Sequence, residues 1–193
     1  LTFNPGGDFQ DLALGETRDV VVEVKATDFH GAMSSVADVT ITVTGTNDAP
    51  TMSAGIGAAD EDGSSIDVAL SSLGDDIDSD DDGLSLIYSI EAQPAEGSAS
   101  LSGVTLTFNP GGDFQDLALG EERDVVVQVK ATDFHGAMSS VADVTITVTG
   151  TNDAPTMSAG VGAADEDGSS IDGDLSSVGD DIDRDKERRG LIY

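Results

Sequence analysis

A six-residue run, Val39-Thr40-Ile41-Thr42-Val43-Thr44, alternates apolar and polar side chains without a break, and it returns unchanged at residues 144–149. Such alternation has the two-residue period of a strand with one buried face. Each run ends in the same connector, Gly45-Thr46-Asn47-Asp48-Ala49-Pro50 and Gly150-Thr151-Asn152-Asp153-Ala154-Pro155. Gly, Asn and Asp favour turns and Pro removes a backbone donor, so each strand runs out into a short, stiff, oxygen-rich link. Thr46 recurs as Thr151, a period of 105 residues, and residues 1–50 and 106–155 differ only at Thr17/Glu122 and Glu23/Gln128. A period of about 100 residues suits one self-contained β-sandwich and is too long for a solenoid turn. The pattern is that of domains in tandem.

The connectors divide the chain into a closing half-repeat (1–45), a linker (46–50), a complete repeat (51–150), a second linker (151–155) and the opening half of a further repeat (156–193). A second parsing, with 1–88 and 106–193 as permuted units joined by 89–105, would bury the connector inside a domain. The chain begins at Leu1 with no signal-like segment, so it reads as a piece of something longer. In the complete repeat, turn signals separate strands expected near Met52–Ala58, Ser65–Leu73, Leu84–Glu91, Ser98–Leu101, Val104–Asn109, Asp124–Thr132 and Ser139–Thr149. Seven short strands predict an all-β antiparallel sandwich, with at most one helical turn over Asp113–Leu119, closed by Gly120. Alternation assigns Ile66, Leu70, Leu86, Tyr88, Ile90, Leu106, Phe108, Phe114, Leu117, Val125, Val127, Val129, Val144, Ile146 and Val148 to the core. With neither Trp nor Cys, the core is not of antibody type.

The formal net charge is -30, from 38 acidic and 8 basic side chains. That charge repels nucleic acid and anionic membranes, and no apolar run is long enough to insert into a bilayer. Disorder would explain an acidic chain poor in aromatics, but disordered segments lack the strand periodicity seen here. Acid spread evenly would point to solubility in salt; here it gathers at Asp60-Glu61-Asp62, at 75–82, at Glu121-Glu122, and at Asp133 and Asp153. Dense carboxylates beside Asn and backbone carbonyls are the donors calcium takes, about six to eight per ion. Asp78-Ser79-Asp80-Asp81-Asp82-Gly83 fits the opening of an EF-hand loop, but its twelfth position is Ser89, which has no carboxylate, and a strand pattern follows. In the second copy, Asp183-Arg184-Asp185-Lys186-Glu187-Arg188, cations interrupt the cluster. A single-loop calcium site at 78–82, with Asp80 and Asp82 as further candidate ligands, stays open beside a site at the connectors.

The segment Val129-Lys130-Ala131-Thr132-Asp133-Phe134-His135-Gly136, followed by the Val144–Val148 strand and Asn152-Asp153-Ala154-Pro155, resembles the closing half of a cadherin repeat. Asp75-Asp76-Ile77-Asp78 with Leu86-Ile87-Tyr88-Ser89-Ile90 resembles its opening half. Thr107-Phe108-Asn109-Pro110 together with Thr-Gly-Thr-Asn-Asp-Ala-Pro looks like the VCBS-type cadherin-like repeats of large bacterial RTX adhesins, which are exported by type I secretion. The resemblance covers essentially the whole chain. It implies tandem cadherin-like (Ig-like) seven-stranded antiparallel Greek-key sandwiches in a linear extracellular array, with calcium (Ca2+) between successive domains. Carried over by motif, the first junction would use Glu16, Asn47, Asp48, Asp76, Asp78 and Asp133. The second would use Glu61, Glu121, Asn152, Asp153, Asp181 and Asp183. There are departures: the cadherin linker opens with Asp where this chain has Gly45 and Gly150, and Ala49 and Ala154 stand in place of its second Asn. The glycine-rich RTX nonapeptide is absent.

The implied role is a calcium-stiffened spacer of a bacterial surface adhesin, serving adhesion and biofilm formation, with neighbouring repeats as its partners. Head-to-tail self-association into a fibre is a second reading, motivated by the half-repeats with their unpaired edges. A homophilic or carbohydrate-binding sandwich is a third, although Phe29, Phe134 and Tyr88 are too scattered for a sugar platform. An enzyme is not expected. His30 and His135 are one position in two copies, each in an Asp-Phe-His-Gly turn, and neither a Cys nucleophile nor a phosphate-cradling loop is present.

Overall fold

The computed structural model describes residues 1–173, 175 and 178–183. Its strands, in chain order, are β1 (Thr17–Val24), β2 (Ala37–Thr44), β3 (Thr51–Met52), β4 (Gly55–Asp60), β5 (Ile66–Ala69), β6 (Gly74–Asp75), β7 (Ile87–Ala92), β8 (Ser98–Ser102), β9 (Thr105–Asn109), β10 (Glu122–Thr132), β11 (Ala142–Thr149), β12 (Thr156–Met157) and β13 (Gly179–Asp180). Apart from a 3-10 turn at Leu70–Ser72, no helix occurs among the described residues.

Seven of these strands form an all-β, Ig-like sandwich. One sheet has the order β4-β11-β10-β7 and the other β5-β9-β8, with β3 and β6 paired as a small ribbon. The alternating sequences explain the register. β10 and β11 pair Val125 with Ile146 and Val127 with Val144, so the apolar side chains of both strands share one face. That face is fully buried, against Leu106 and Phe108 from the other sheet and against Leu70, Leu86, Tyr88, Phe114 and Leu117. Phe108 and Phe114 meet edge to face, 6.4 Å between centroids. Thirteen of the fifteen expected core residues are buried; Ile66 and Ile90 are partly buried and packed against the same cluster.

Several expectations need correction. The sandwich is not purely antiparallel: β4 runs parallel to β11, from Val144↔Gly55 to Thr149↔Asp60. The strand expected over Met52–Ala58 is therefore two pieces, β3 pairing with β6 in the small ribbon and β4 joining the four-stranded sheet at its edge. The positions of β4 facing inward are Gly55, Gly57 and Ala59, because the sheet leaves no room for more. A Cβ on Gly57 would come within 2.6 Å of Ile146 Cδ1. The Ser65–Leu73 run leaves its strand at Leu70, in the 3-10 turn. The Leu84–Glu91 run becomes strand only at Ile87, because Ser85 and Leu86 donate to the Asp82 carbonyl in a turn. Ser139, expected in a strand, lies before β11 but still joins β10, donating its N–H to Ala131 and accepting from Ala131 N–H through its hydroxyl. The segment 113–119 makes turns rather than a helical turn.

β5 pairs with β9, and β4 with β11, across residues 89–105. The permuted parsing would leave those pairs in different units. In the first copy, β1 and β2 pair in the same register as β10 and β11, yet Val20, Val22, Val24 and Ile41 are only partly buried.

Candidate metal centre at the connectors

Each connector leaves its last strand through a closed turn. Gly150 N–H donates to the Glu121 carbonyl at 2.7 Å, and Gly45 N–H to that of Glu16 at 2.8 Å. The Leu-Ala-Leu-Gly-Glu turn that supplies this carbonyl needs a positive φ, found at Gly15 (79°) and Gly120 (74°). Gly45 and Gly150 are required by space. A Cβ on Gly150 would overlap the Ala118 carbonyl oxygen and lie 2.7 Å from Leu117 Cβ, and a Cβ on Gly45 would overlap the carbonyls of Leu12 and Ala13. The missing acid at the head of the linker is thus the cost of packing strand end against turn.

At the first connector, three pieces of chain converge. The Asn47 amide donates to Asp133 Oδ2 at 2.8 Å, Asp48 N–H to Asp78 Oδ2 at 2.9 Å, and Asp78 N–H to Asp76 Oδ1 at 3.1 Å. From the preceding half-repeat, Glu16 Oε2 accepts the Ser79 hydroxyl at 2.6 Å and the Asp11 carbonyl accepts Ser79 N–H at 3.0 Å. Of the six residues expected at this junction, Asn47, Asp48, Asp76, Asp78 and Asp133 are joined by hydrogen bonds, and Glu16 meets them only through Ser79. Asp78 and Asp133 are each 2% exposed.

The second connector repeats the motif. Asp153 N–H donates to Asp183 Oδ2 at 3.0 Å, and Asp183 N–H to Asp181 Oδ1 at 3.3 Å. Glu61, 1% exposed, reaches it from the preceding repeat, where its Oε1 accepts Thr151 N–H at 2.6 Å. Glu121 sits on the closing turn, its Oε2 accepting Ala118 N–H at 3.4 Å. Asn152 is exposed, its amide donating to the Asp153 carbonyl. Residues 184–188, whose cations break the acidic run, lie outside the described residues.

Among the described residues, the buried side-chain oxygens that lack a hydrogen-bond partner are Asn47 Oδ1, Asp76 Oδ2, Asp78 Oδ1, Asp81 Oδ2, Glu61 Oε2, Asp153 Oδ2 and Asp183 Oδ1. Apart from Asp81 Oδ2, in the acidic loop that follows Asp78, every one belongs to a residue expected at a connector. A buried polar atom left unpaired costs about 1–3 kcal/mol, more when charged, so such a concentration asks for a partner. Hard oxygen donors from carboxylates and an Asn carbonyl are what a calcium ion takes, and this donor set fits it.

The electrostatics agree. Burial, and then the charges of Asp48, Asp80 and Asp133, push Asp78 above the ordinary carboxylate range. Asp76 is raised by burial and by Asp78, Asp81 and Asp133. At the second connector, burial raises Glu61 and Asp153, and neighbouring acids add to both. Asp133 goes the other way: burial opposes its charge, but the Asn47 amide and the backbone N–H groups of 135–137 outweigh it. Among the acids of 75–82, the single-loop alternative loses Asp82. Its exposed carboxylate caps a turn, accepting Leu84 and Ser85 N–H at 2.9 Å each, and those bonds hold its pKa low. Asp80 is exposed, on the side of the loop facing His135.

Sequence reasoning missed Asp81, Ser79 and Thr151. Asp81 is 7% exposed, in the middle of an acidic run that reads as a solvated loop. The nearest signal was Gly83, where a Cβ would overlap the Ser71 carbonyl oxygen: the loop is pressed onto the 3-10 turn.

Among solved structures, extracellular cadherin domains 1–4 of protocadherin gamma B7 are similar, with a TM-score of 0.40 and 13% identity. The match covers 80% of this chain and 47% of that one, so the chain spans about half its length. No curated protein matches the chain. The model of the bacterial Ig domain family matches residues 47–149, more than half of the 193, and the chain belongs to that family.

Proposed function

We propose that this chain is a calcium-stiffened spacer from the repeat array of a large bacterial surface adhesin of the VCBS, RTX-secreted class. In that role it holds a binding part away from the cell in adhesion and biofilm formation. Bacterial Ig domains are typically extracellular structural modules rather than enzymes, and this one offers an enzyme little. Tyr88, one of the three aromatics weighed for a sugar platform, is buried.

The observation that carries the reading is the set of unpartnered buried oxygens at the connectors, from the linker and the following repeat at the first (Asn47, Asp76, Asp78) and from both sides of the linker at the second (Glu61, Asp153, Asp183). Glu16 or Glu61 would serve from the preceding repeat, Asn47 and Asp48 or Asp153 from the linker, and Asp76, Asp78 and Asp133, or Asp181 and Asp183, from the following one. Calcium bound there would supply positive charge and about six to eight positions for oxygen donors. These residues hold the donors ready: Asp48 N–H orients Asp78, Asp78 N–H orients Asp76, and Asn47 ties Asp133 to the linker. Because the donors sit on three separate pieces, a shared cation fixes the angle between repeats. Binding only to the ordered arrangement also stabilises it by mass action.

Limited proteolysis tests the reading. Cleavage within 45–50 and 150–155 is expected in chelator and suppressed by calcium. Equal cleavage in both would sink it.

A further inference from the structure

The calcium reading makes no use of Asp81 Oδ2 or of His135. His135 stands in the loop after β10, with its neighbour Phe134 packed edge-on at 5.5 Å between ring centroids. The loop is closed by Asp133, which donates its N–H to the Ala137 carbonyl at 3.1 Å and accepts Ala137 N–H through Oδ1 at 2.9 Å. Opposite lies the acidic loop after β6. An imidazole nitrogen of His135 and one carboxylate oxygen each from Asp80 and Asp81 all lie within 4.8 Å of one another. Asp81 Oδ1 accepts the Ser85 hydroxyl at 3.3 Å, whereas its Oδ2 is buried with no partner. The residue that anchors the cluster is therefore more than nine-tenths buried and has a free oxygen.

We infer that His135, Asp80 and Asp81 form a second cation site, adjoining the connector centre but using none of its ligands, which takes a borderline transition ion of the zinc class. The donor types decide the metal. Calcium takes oxygen, whereas imidazole suits zinc, copper, nickel and iron. One His nitrogen and two carboxylates match zinc sites that use three protein ligands and leave a fourth position open. Zinc at about 2.1 Å from each donor holds tetrahedral donors about 3.4 Å apart, so side-chain rotation of the two exposed residues closes the site without moving backbone. Two carboxylates also match the ion's charge.

The molecule contains its own control. His30 occupies the same Asp-Phe-His-Gly turn in the first copy, and its ring packs on Phe29 in the same way, at 5.3 Å. Among the described residues, no acidic pair stands close enough to His30 to form such a cluster. One sequence motif therefore appears with and without the facing acids.

The test is calorimetric titration of the full chain with zinc, in buffer already saturated with calcium, together with NMR of the two imidazole rings. One zinc is expected to bind, shifting the His135 ring signals and leaving those of His30 in place. H135A and D80N, both at exposed positions, are expected to weaken zinc at least ten-fold, the floor set by changes even outside the ligand shell. H30A should leave zinc affinity unchanged, and the calcium-induced rise in melting temperature should survive in all three variants. Zinc affinity within two-fold of wild type in H135A would overturn the inference, as would equal shifts of both rings or displacement of zinc by excess calcium. A chain that binds zinc at His135 but shows no response to calcium would leave this site standing and remove the connector reading instead.

Discussion

Replacing Asp78 by Asn separates a metal ligand from a structural hydrogen bond, because the two roles predict opposite signs in chelator. Asp78 is 2% exposed; its Oδ2 accepts Asp48 N–H and its Oδ1 has no partner. Without cation it is a buried carboxylate facing Asp48, Asp80 and Asp133. Asn keeps the acceptor for Asp48 and removes the charge, and its amide becomes a donor among carboxylates. Relieving one unpaired buried group is worth about 1–3 kcal/mol, so D78N in chelator should be more stable than wild type by about that amount. For a repeat near 100 residues, each kcal/mol moves the melting temperature by about 4–8 °C. In calcium at about one hundred times Kd, wild type gains about 2.7 kcal/mol from one site. Weakening the site ten-fold cuts that gain to about 1.4 kcal/mol, and a hundred-fold loss leaves about 0.4 kcal/mol. D78N therefore starts ahead and gains less. Calorimetric melting of both proteins, with calcium and with chelator, reads the two increments. A variant less stable than wild type in chelator, or one gaining the full calcium increment, would refute the reasoning.

The same buried acids set a pH dependence. In the calcium-free chain, Asp76 and Asp78 sit above 3.8 and Glu61 above 4.5, so the folded state holds protons that the unfolded state has released, and stability falls as pH rises through that interval. The melting temperature in chelator should therefore rise as the pH drops toward the ordinary carboxylate values of 4.5 and 3.8, and fall below 3.8, where Asp133 loses the contribution of its lowered pKa. With calcium the trend reverses, since protons compete for the ligands; a calcium-free melting temperature that falls steadily from neutral would contradict this. Ile146→Ala should cost about 2–5 kcal/mol in urea unfolding, whereas Ile41→Ala, at the same sequence position but only partly buried, should cost well under half of that; equal costs would mean that the first ribbon is also covered. Gly150→Ala forces a Cβ against the Ala118 carbonyl and should destabilise the connector turn by about 1–3 kcal/mol, seen as earlier cleavage by protease after β11, while an unchanged pattern would show that the turn can yield.

The sandwich was legible where periodicity was strict. The Val/Thr alternation of β11 and the i, i+2 spacing of Val125, Val127 and Val129 in β10 showed strand and buried face together, and those faces are buried as expected. At β4 a strand was legible but neither its bounds nor its sheet, because Gly-Ile-Gly-Ala carries its information in small inward residues that fit beside Ile146. Parallel pairing of β4 with β11 was hidden for a related reason: direction follows from where the chain crosses between sheets. At the connectors, the cadherin resemblance put Asp48, Asp76 and Asp78 in one set, and the N–H groups of Asp48 and Asp78 link these three. Asp81 was invisible because burial within a run of like charges depends on the tertiary fold. The turn made by Asp82 and Ser85, with Leu86 buried behind it, draws that carboxylate inward.

Solution scattering from the full chain, recorded in calcium and then in excess chelator, measures the angle between repeats directly. Shared cations predict one fixed, extended maximum dimension in calcium, giving way in chelator to a shorter average length and a broad distribution as the connectors bend. An identical profile in both buffers would mean that the carboxylates around Asp48 and Asp153 do not govern the joint.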